Sequence, residues 1–350
     1  MQDRATDLFV GLTPDAVLDA VESQGIRCNN VCVALNSFEN RVYEIERADD
    51  DRTRLVAKFY RPQRWSDAQI RAEHRLLHAL AAAEVPVCDV LDLPGGDTLA
   101  HTSDAAGHIA FCLFPRTGGR APEEIDGDMA ERLGALAARI HSVAARLGCD
   151  ERDHLGPARL DRALDALLER KLLPDHLRGR YITAVRALRE VLTERMAGVA
   201  LHAVHGDLHA GNLILRAGVL HVLDFDDLAI GPAVQDLWLL LPGRDAHTLG
   251  LRQAWLAGYN QFRTFDRSTL NLIEPLRGLR YVHYAAWLAR RWHDPIFPQT
   301  WPEFGTERWA QQATRDLEDV LGHLNAPTLP GAEVEVATGL SNQDYFWDMD

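Results

Sequence analysis

The chain has 350 residues, 47% of them hydrophobic and 25% charged, an ordinary globular composition that excludes wholesale disorder. At roughly 100–200 residues per domain, this length predicts two packed units. Asp and Glu number 51 against 37 Lys and Arg, and the resulting formal net charge of −14 disfavours nucleic acid and anionic membranes as partners.

Residues 13–24 read as a helix with Thr13 as its cap and Pro14 in the first turn. The hydrophobic period then shortens, and strands are expected at 31–36, 40–47 and 53–60, with the turn ADDD between the last two. A helix capped by Ser66 is expected over 66–83, followed by short β-like stretches near 98–101 and 108–114. PRTGGRAP is a turn-rich connector. Beyond it, helices are expected at 126–147, 161–171, 178–197, 232–241, 246–263, 269–293 and 306–323, with one β-like island from Ala203 to Phe225. The pattern predicts an α+β chain with a small sheet-rich lobe at 1–114, a hinge at 115–122 and a larger, mainly helical lobe at 123–325. Residues 326–350 hold five acids and no Lys or Arg, and a loosely ordered acidic tail is expected there.

The five cysteines, Cys28, Cys32, Cys88, Cys112 and Cys149, are odd in number and thinly spread, which fits reduced thiols better than a disulfide framework. Cys28 and Cys32 lack a second ligand pair nearby for zinc. No basic stretch precedes an apolar one at the start, and no segment approaches 18 apolar residues, so the expected location is the cytoplasm.

The chemistry concentrates in HAVHGDLHAGNLILRAGVLHVLDFDDLAIGPAVQDLW. Asp207 and Asn212 lie five residues apart in a loop, and a strand delivers Asp224 twelve residues later. A carboxylate, an amide and a second carboxylate suit metal-assisted phosphoryl transfer. Asp224 would bridge Mg²⁺ to phosphate oxygens, Asn212 would supply a neutral oxygen, and Asp207 would orient and deprotonate the attacking hydroxyl.

Lys58 joins this set from the strand LVAKFY, where its ammonium would meet the nucleotide phosphates, with Glu73 on the next helix as partner. Lys58 and Lys171 are the two lysines of a chain rich in Arg, and a retained Lys points to a site that wants a compact ammonium; Lys171 is read as a plain surface residue. No G-x-G-x-x-G or G-K-[ST] loop is present, and the turn LNSFENRVY, with Asn36, Ser37 and Asn40, would offer donors to ATP instead. His205 is read as a brace for the loop of Asp207, and Asp236 as a tie between that loop and a helix start. Neither His205 nor His209 finds further metal ligands. Asp226 and Asp227 are read as surface carboxylates. Tyr281, Tyr284, Trp287, Trp292, Trp301 and Trp309 are read as core packing.

The chain resembles the aminoglycoside phosphotransferase and choline kinase branch of the protein-kinase-like fold, and within it the bacterial stress response kinase A family. LNSFENRVYEI, VAKFYRPQRW, HGDLHAGN, GPAVQDLW and IEPLRGLRYVHYAAWLARRW carry the resemblance, which runs from about residue 10 to 325. It implies a two-lobed fold and a cytoplasmic, monomeric, Mg²⁺- and ATP-dependent serine/threonine protein kinase linked to stress survival and capable of autophosphorylation. It also implies Asp207 as proton acceptor, Asn212 and Asp224 as Mg²⁺ ligands and Ser37 at the ATP site. Phe225 stands where such families also use Leu, and the acidic tail inherits no role.

Transfer to Ser or Thr hydroxyls of proteins is the leading expectation. The alternative is a small-molecule hydroxyl kinase acting on an aminoglycoside, choline or homoserine-like acceptor, since the same machinery serves both and an acidic chain suits a cationic acceptor. A nucleotide-sensing module without catalysis is disfavoured, because Lys58, Asp207, Asn212 and Asp224 are all present.

Overall fold

A computed structural model describes Phe9 and residues 11–49, 51–102 and 108–330; most of the expected acidic tail, from 331 onward, lies outside the described residues. The fold divides into two units interleaved along the chain. One takes the residues up to Glu123, Ser142–Arg152 and Ala210–Leu228, and the other takes Glu124–His141, Asp153–His209 and the chain from Ala229.

The first unit is built on α1 (Pro14–Glu22), capped by the Thr13 side chain, and five strands: β1 (Cys28–Leu35), β2 (Arg41–Arg47), β3 (Arg54–Phe59), β4 (Ala100–His101) and β5 (Ala110–Pro115). The strands form an antiparallel sheet in the order β1-β2-β3-β5-β4. Successive strand residues point to opposite faces. Leu55, Ala57 and Phe59 of β3 therefore join Tyr43, Ile45, Phe111 and Leu113 in a core with Val17 and Val21 of α1. Phe59 and Phe111 oppose each other in register and stack at 4.9 Å. The same alternation sends Lys58 to the other face, level with Val42 on β2 and Cys112 on β5.

That face meets α2 (Asp67–Ala82). Its start is fixed by a reciprocal cap, in which Ser66 Oγ accepts from Gln69 N and Gln69 Oε1 accepts from Ser66 N. The buried stripe of α2 runs Ile70, Glu73, His74, Leu77 and Leu80, so an acid and an imidazole sit at positions where helical spacing calls for apolar residues. The hairpin Leu213–Arg216/Val219–Val222 completes this unit, bridged to Val87 and Arg120.

The second unit is mainly helical, with a two-stranded ribbon of His202–Val204 and Ala229–Gly231. Helices Gly127–Leu147 and Ala246–Tyr259 meet backbone to backbone: a Cβ on Gly134 would lie 1.9 Å from Trp255 O, and one on Gly258 1.8 Å from Glu131 O. Helix Pro157–Glu169 starts four residues before the expected 161, because Pro157 occupies its first turn. The helix expected over 269–293 opens instead as a 3₁₀ turn, Arg267–Leu272, and becomes α-helical at Ile273–Arg291, where Pro275 sits in the first turn. Ile296–Thr300 is a further helix, too short to leave a periodic signal. Among the described residues, no helix is long and apolar enough to cross a membrane.

Candidate active site

In the sheet-rich unit the site begins with Lys58, 6% exposed, whose ammonium is surrounded by three carboxylates. Lys58 Nζ lies 3.0 Å from Asp224 Oδ1, 3.2 Å from Asp226 Oδ1 and 3.5 Å from Glu73 Oε1, with the Tyr60 ring centroid at 5.0 Å. Burial works against the ammonium, but the three carboxylates hold its pKa well above the usual lysine value. Glu73 behaves differently: burial pushes its carboxyl up to about 7 even with Lys58 beside it. Its Oε2 is buried without a hydrogen-bond partner, which accounts for the cost of ionising it. Next to Glu73, His74 Nε2 meets Tyr60 OH at 3.0 Å and Nδ1 meets Thr98 Oγ1 at 2.7 Å, tying α2 to the strand of Lys58. Burial and the nearby Lys58 push His74 down to about 3, so it is neutral at pH 7.

The turn after the hairpin carries the other carboxylates. Leu223 N donates to Asn212 O at 2.9 Å, which brings Asn212 and Asp224 to the same end of the hairpin. Asp224 adopts a left-handed backbone conformation with φ 54°, a conformation that Asp tolerates better than most side chains. Asp226 is buried and accepts from Arg64 Nη1 at 2.5 Å, while Arg64 Nη2 donates to Asp227 at 2.7 Å. Burial alone would raise the Asp226 carboxyl; Arg64, Lys58 and Arg152 together hold it below the usual range. Arg152 also donates to the Asp226, Leu228 and Gln69 carbonyls and lies 4.1 Å over the Trp65 ring.

In the helical unit the loop after His202–Val204 carries Asp207. Asp236, buried in the helix Val234–Leu240, accepts from His205 N at 2.8 Å and Gly206 N at 3.0 Å. His141 Nε2 meets the same carboxylate at 2.9 Å, and its Nδ1 meets Tyr259 OH at 3.0 Å. Gly206 sits at φ 82°, which glycine adopts without strain, and Asp207 N then donates to His205 Nδ1 at 3.2 Å. Arg280 Nη2 lies 2.7 Å from Asp207 Oδ1 and His209 Nε2 3.6 Å from Oδ2. Against the effect of burial, Arg280 first and then His209 hold the Asp207 carboxyl well below the usual range.

A buried ammonium ringed by acids and, in the other unit, a carboxylate on a braced loop are residue types that phosphoryl transfer uses, and the comparisons with known proteins agree in kind. Residues 31–273 match the phosphotransferase enzyme family. The stress response kinase A of Salmonella paratyphi A is 38% identical over 313 residues, covering 89% of this chain and 93% of that protein. The chain belongs to the phosphotransferase enzyme family and, within it, to the stress response kinase A family. The serine/threonine protein kinase RdoA of Salmonella typhimurium is likewise 38% identical, with the same coverage. In fold the chain is similar to an amicoumacin kinase solved with AMP-PNP and Ca²⁺, with a TM-score of 0.67 over 88% of this chain and 93% of that one at 19% identity. The chain is thus a phosphotransferase of two-lobed, protein-kinase-like α+β fold.

For this family member, the structure brings Lys58, Glu73 and Asp224 together in the sheet-rich unit, with Asn212 at the same hairpin end. Asp207 lies in the helical unit. Ser37 is half-buried in the turn between β1 and β2, where its Oγ accepts from Asn40 N at 3.3 Å. Asn40 is a correction. It is buried, and its side chain is spent on Arg61 N and on Asp226 rather than turned toward a ligand. Asp226 is another, since it is a buried ion-pair partner and not a surface carboxylate. Sequence reasoning also missed Arg64, Arg152 and Arg280. The signal for the first lay in RPQRW, where two arginines flank a short connection into a capped helix.

Proposed function

We propose that the chain is an ATP- and Mg²⁺-dependent serine/threonine protein kinase, and that it autophosphorylates. The observation that carries this reading is the Lys58 ammonium, fixed on a sheet 3.0 Å from Asp224 and 3.5 Å from Glu73. Lys58 would hold the nucleotide phosphates, Ser37 would contact ATP from the β1–β2 turn, and Glu73 would keep Lys58 in place. Hard oxygen donors at Asp224 and Asn212 suit Mg²⁺, which takes one or two protein oxygens and fills its shell with phosphate and water. Asp224 also fits by access: its side chain is 53% exposed, against 1% for Glu73 and 5% for Asp226. When bound, Mg²⁺ would neutralise charge on the transferring phosphoryl group.

Asp207 receives the acceptor proton in this scheme. The hydroxyl oxygen forms the new bond to the γ-phosphorus, its proton passes to Asp207, and the bond to the bridging oxygen breaks with its electrons leaving on ADP. The low pKa of Asp207 keeps it ionised and ready to orient the hydroxyl. Catalysis then comes chiefly from position and fixed charge. A protein acceptor is favoured by the relative named a serine/threonine protein kinase. A second reading, a small-molecule hydroxyl kinase, draws on the fold shared with the amicoumacin kinase. Incubation with γ-labelled ATP and Mg²⁺, together with a generic protein and choline, separates them. Label on the added protein or on the chain itself is the expected result; label on choline alone would replace the first reading with the second.

A further inference from the structure

The charge next to Asp207 has the opposite sign to the charge of the molecule. The chain carries a formal −14, yet the helix Ile273–Arg291 holds Arg277, Arg280, Arg290 and Arg291 against a single acid, Glu274. That acid is neutralised within the fold, 2.6 Å from Arg244 and 3.1 Å from Arg277. Arg280 points to Asp207 at 2.7 Å with 30% of its side chain exposed. One turn further along, Arg159 Nη2 meets His283 Nε2 at 3.0 Å. Tyr284 and Trp287 continue the face of Arg280 at helical spacing, their rings 5.3 Å apart.

We propose that Arg280 is a specificity-determining residue that selects hydroxyls in neutral or acidic surroundings and rejects those beside a cation. The proposal rests on the reading of Asp207 as the group that meets the acceptor hydroxyl, and it names the substrate class for that site: a Ser or Thr flanked by Asp or Glu. The physical ground is direct. Any acceptor whose hydroxyl reaches Asp207 brings its neighbouring groups to Arg280. An amino alcohol or amino sugar carries an ammonium a few bonds from its hydroxyl; as Asp207 takes the hydroxyl proton it ceases to offset Arg280, 2.7 Å away, and two like charges at that range then repel by roughly tenfold or more in transfer rate. A carboxylate in the same place gains a comparable attraction, because a guanidinium pairs well with planar acids. The net negative charge would draw cations to the molecule at long range, but salt screens that field within about 8 Å, whereas Arg280 acts at contact.

Three peptides that differ only in the residues flanking one serine, Glu, Ala or Lys, test this with the full-length protein, ATP and Mg²⁺. The expected wild-type order of kcat/KM is acidic, then neutral, then basic, with about tenfold or more between the extremes. Arg280→Gln should bring the ratio toward one, Arg280→Glu should invert it, and Arg280→Lys should restore it. Because the readout is a ratio between acceptors, a general loss of folded protein cancels. A wild-type preference for the basic peptide, equal rates on all three, or a ratio indifferent to Arg280→Glu overturns the proposal. Asp207→Asn, assayed on the neutral peptide, separates the two levels. Retained transfer there removes the reading of Asp207 itself, while lost transfer in Asp207→Asn together with a wild-type charge ratio that Arg280→Glu leaves unchanged removes the role of Arg280 alone.

Discussion

Lys58 is one ammonium among three acids, and two of its neighbours make predictions at the scale of single residues. Lys58→Arg keeps the charge, but a longer, planar head cannot occupy the point that lies 3.0–3.5 Å from Asp224, Asp226 and Glu73, so kcat/KM for ATP should fall by about a hundredfold or more. Near-normal turnover would reduce the lysine to a generic cation. Glu73 gives a pH test. Its folded pKa of about 7 lies above the usual glutamate value of about 4.5, so between those values the folded state binds the proton more tightly. Stability from this group is therefore present at low pH and lost as pH rises from about 4.5 to about 7. Thermal unfolding of the wild type and Glu73→Gln across that range should show the wild type losing ground as pH rises; parallel curves would contradict it. Asp226→Ala takes one acid from each of the buried cations Arg64 and Lys58, which keep Asp227 on one side and Asp224 and Glu73 on the other, so about 1–3 kcal/mol of unfolding free energy should disappear in denaturant titration. Lys58 was legible in sequence, because it is rare and sits in an alternating strand. Glu73 was read as the acid on the next helix that would pair with Lys58, whereas its burial in the stripe of α2 shows only in the fold. Asp226 was not: a carboxylate in a turn looks solvated, and its burial depends on Arg64, 162 residues away, and Arg152, 74 residues away.

Among the elements, those with a local signal were read most accurately. The Ser66/Gln69 capping box fixed the start of α2, and period-two patterns placed the strands of Lys58 and its neighbours to within a few residues. Helix starts in the helical unit were read late where proline opens the first turn, as at Pro157, because the apolar stripe begins after the proline. Close packing left no signal of its own. Gly134 and Gly258 occupy ordinary helical positions in sequence, and their crossing is visible once the two helices are together. A methyl group at Gly258 would press on the Glu131 carbonyl at 1.8 Å, so Gly258→Ala should cost about 1–3 kcal/mol or more, although alanine is the better helix former. Denaturant unfolding checks the sign. A gain in stability would mean that the helices can separate without loss.

For the whole molecule, composition and charge restricted the partners but did not identify the acceptor. The net charge of −14 is summed over the whole chain, whereas the cation beside Asp207 is a single residue, Arg280. The interleaving of the two units is likewise a whole-chain property. Segments 142–152 and 210–228 join the sheet-rich unit through tertiary contacts such as those of Arg152 and the Val222–Val87 bridge, which no window of sequence records. The proposed transfer turns on Asp207 as the residue that would meet the acceptor hydroxyl. Its most direct test is the single-turnover rate of transfer from labelled ATP in Asp207→Asn, with nucleotide affinity measured on the same protein. Transfer should fall by about 10²–10⁴-fold while ATP binding stays within a few-fold of wild type. A transfer rate near that of wild type in this variant would remove Asp207 from the proposed proton transfer.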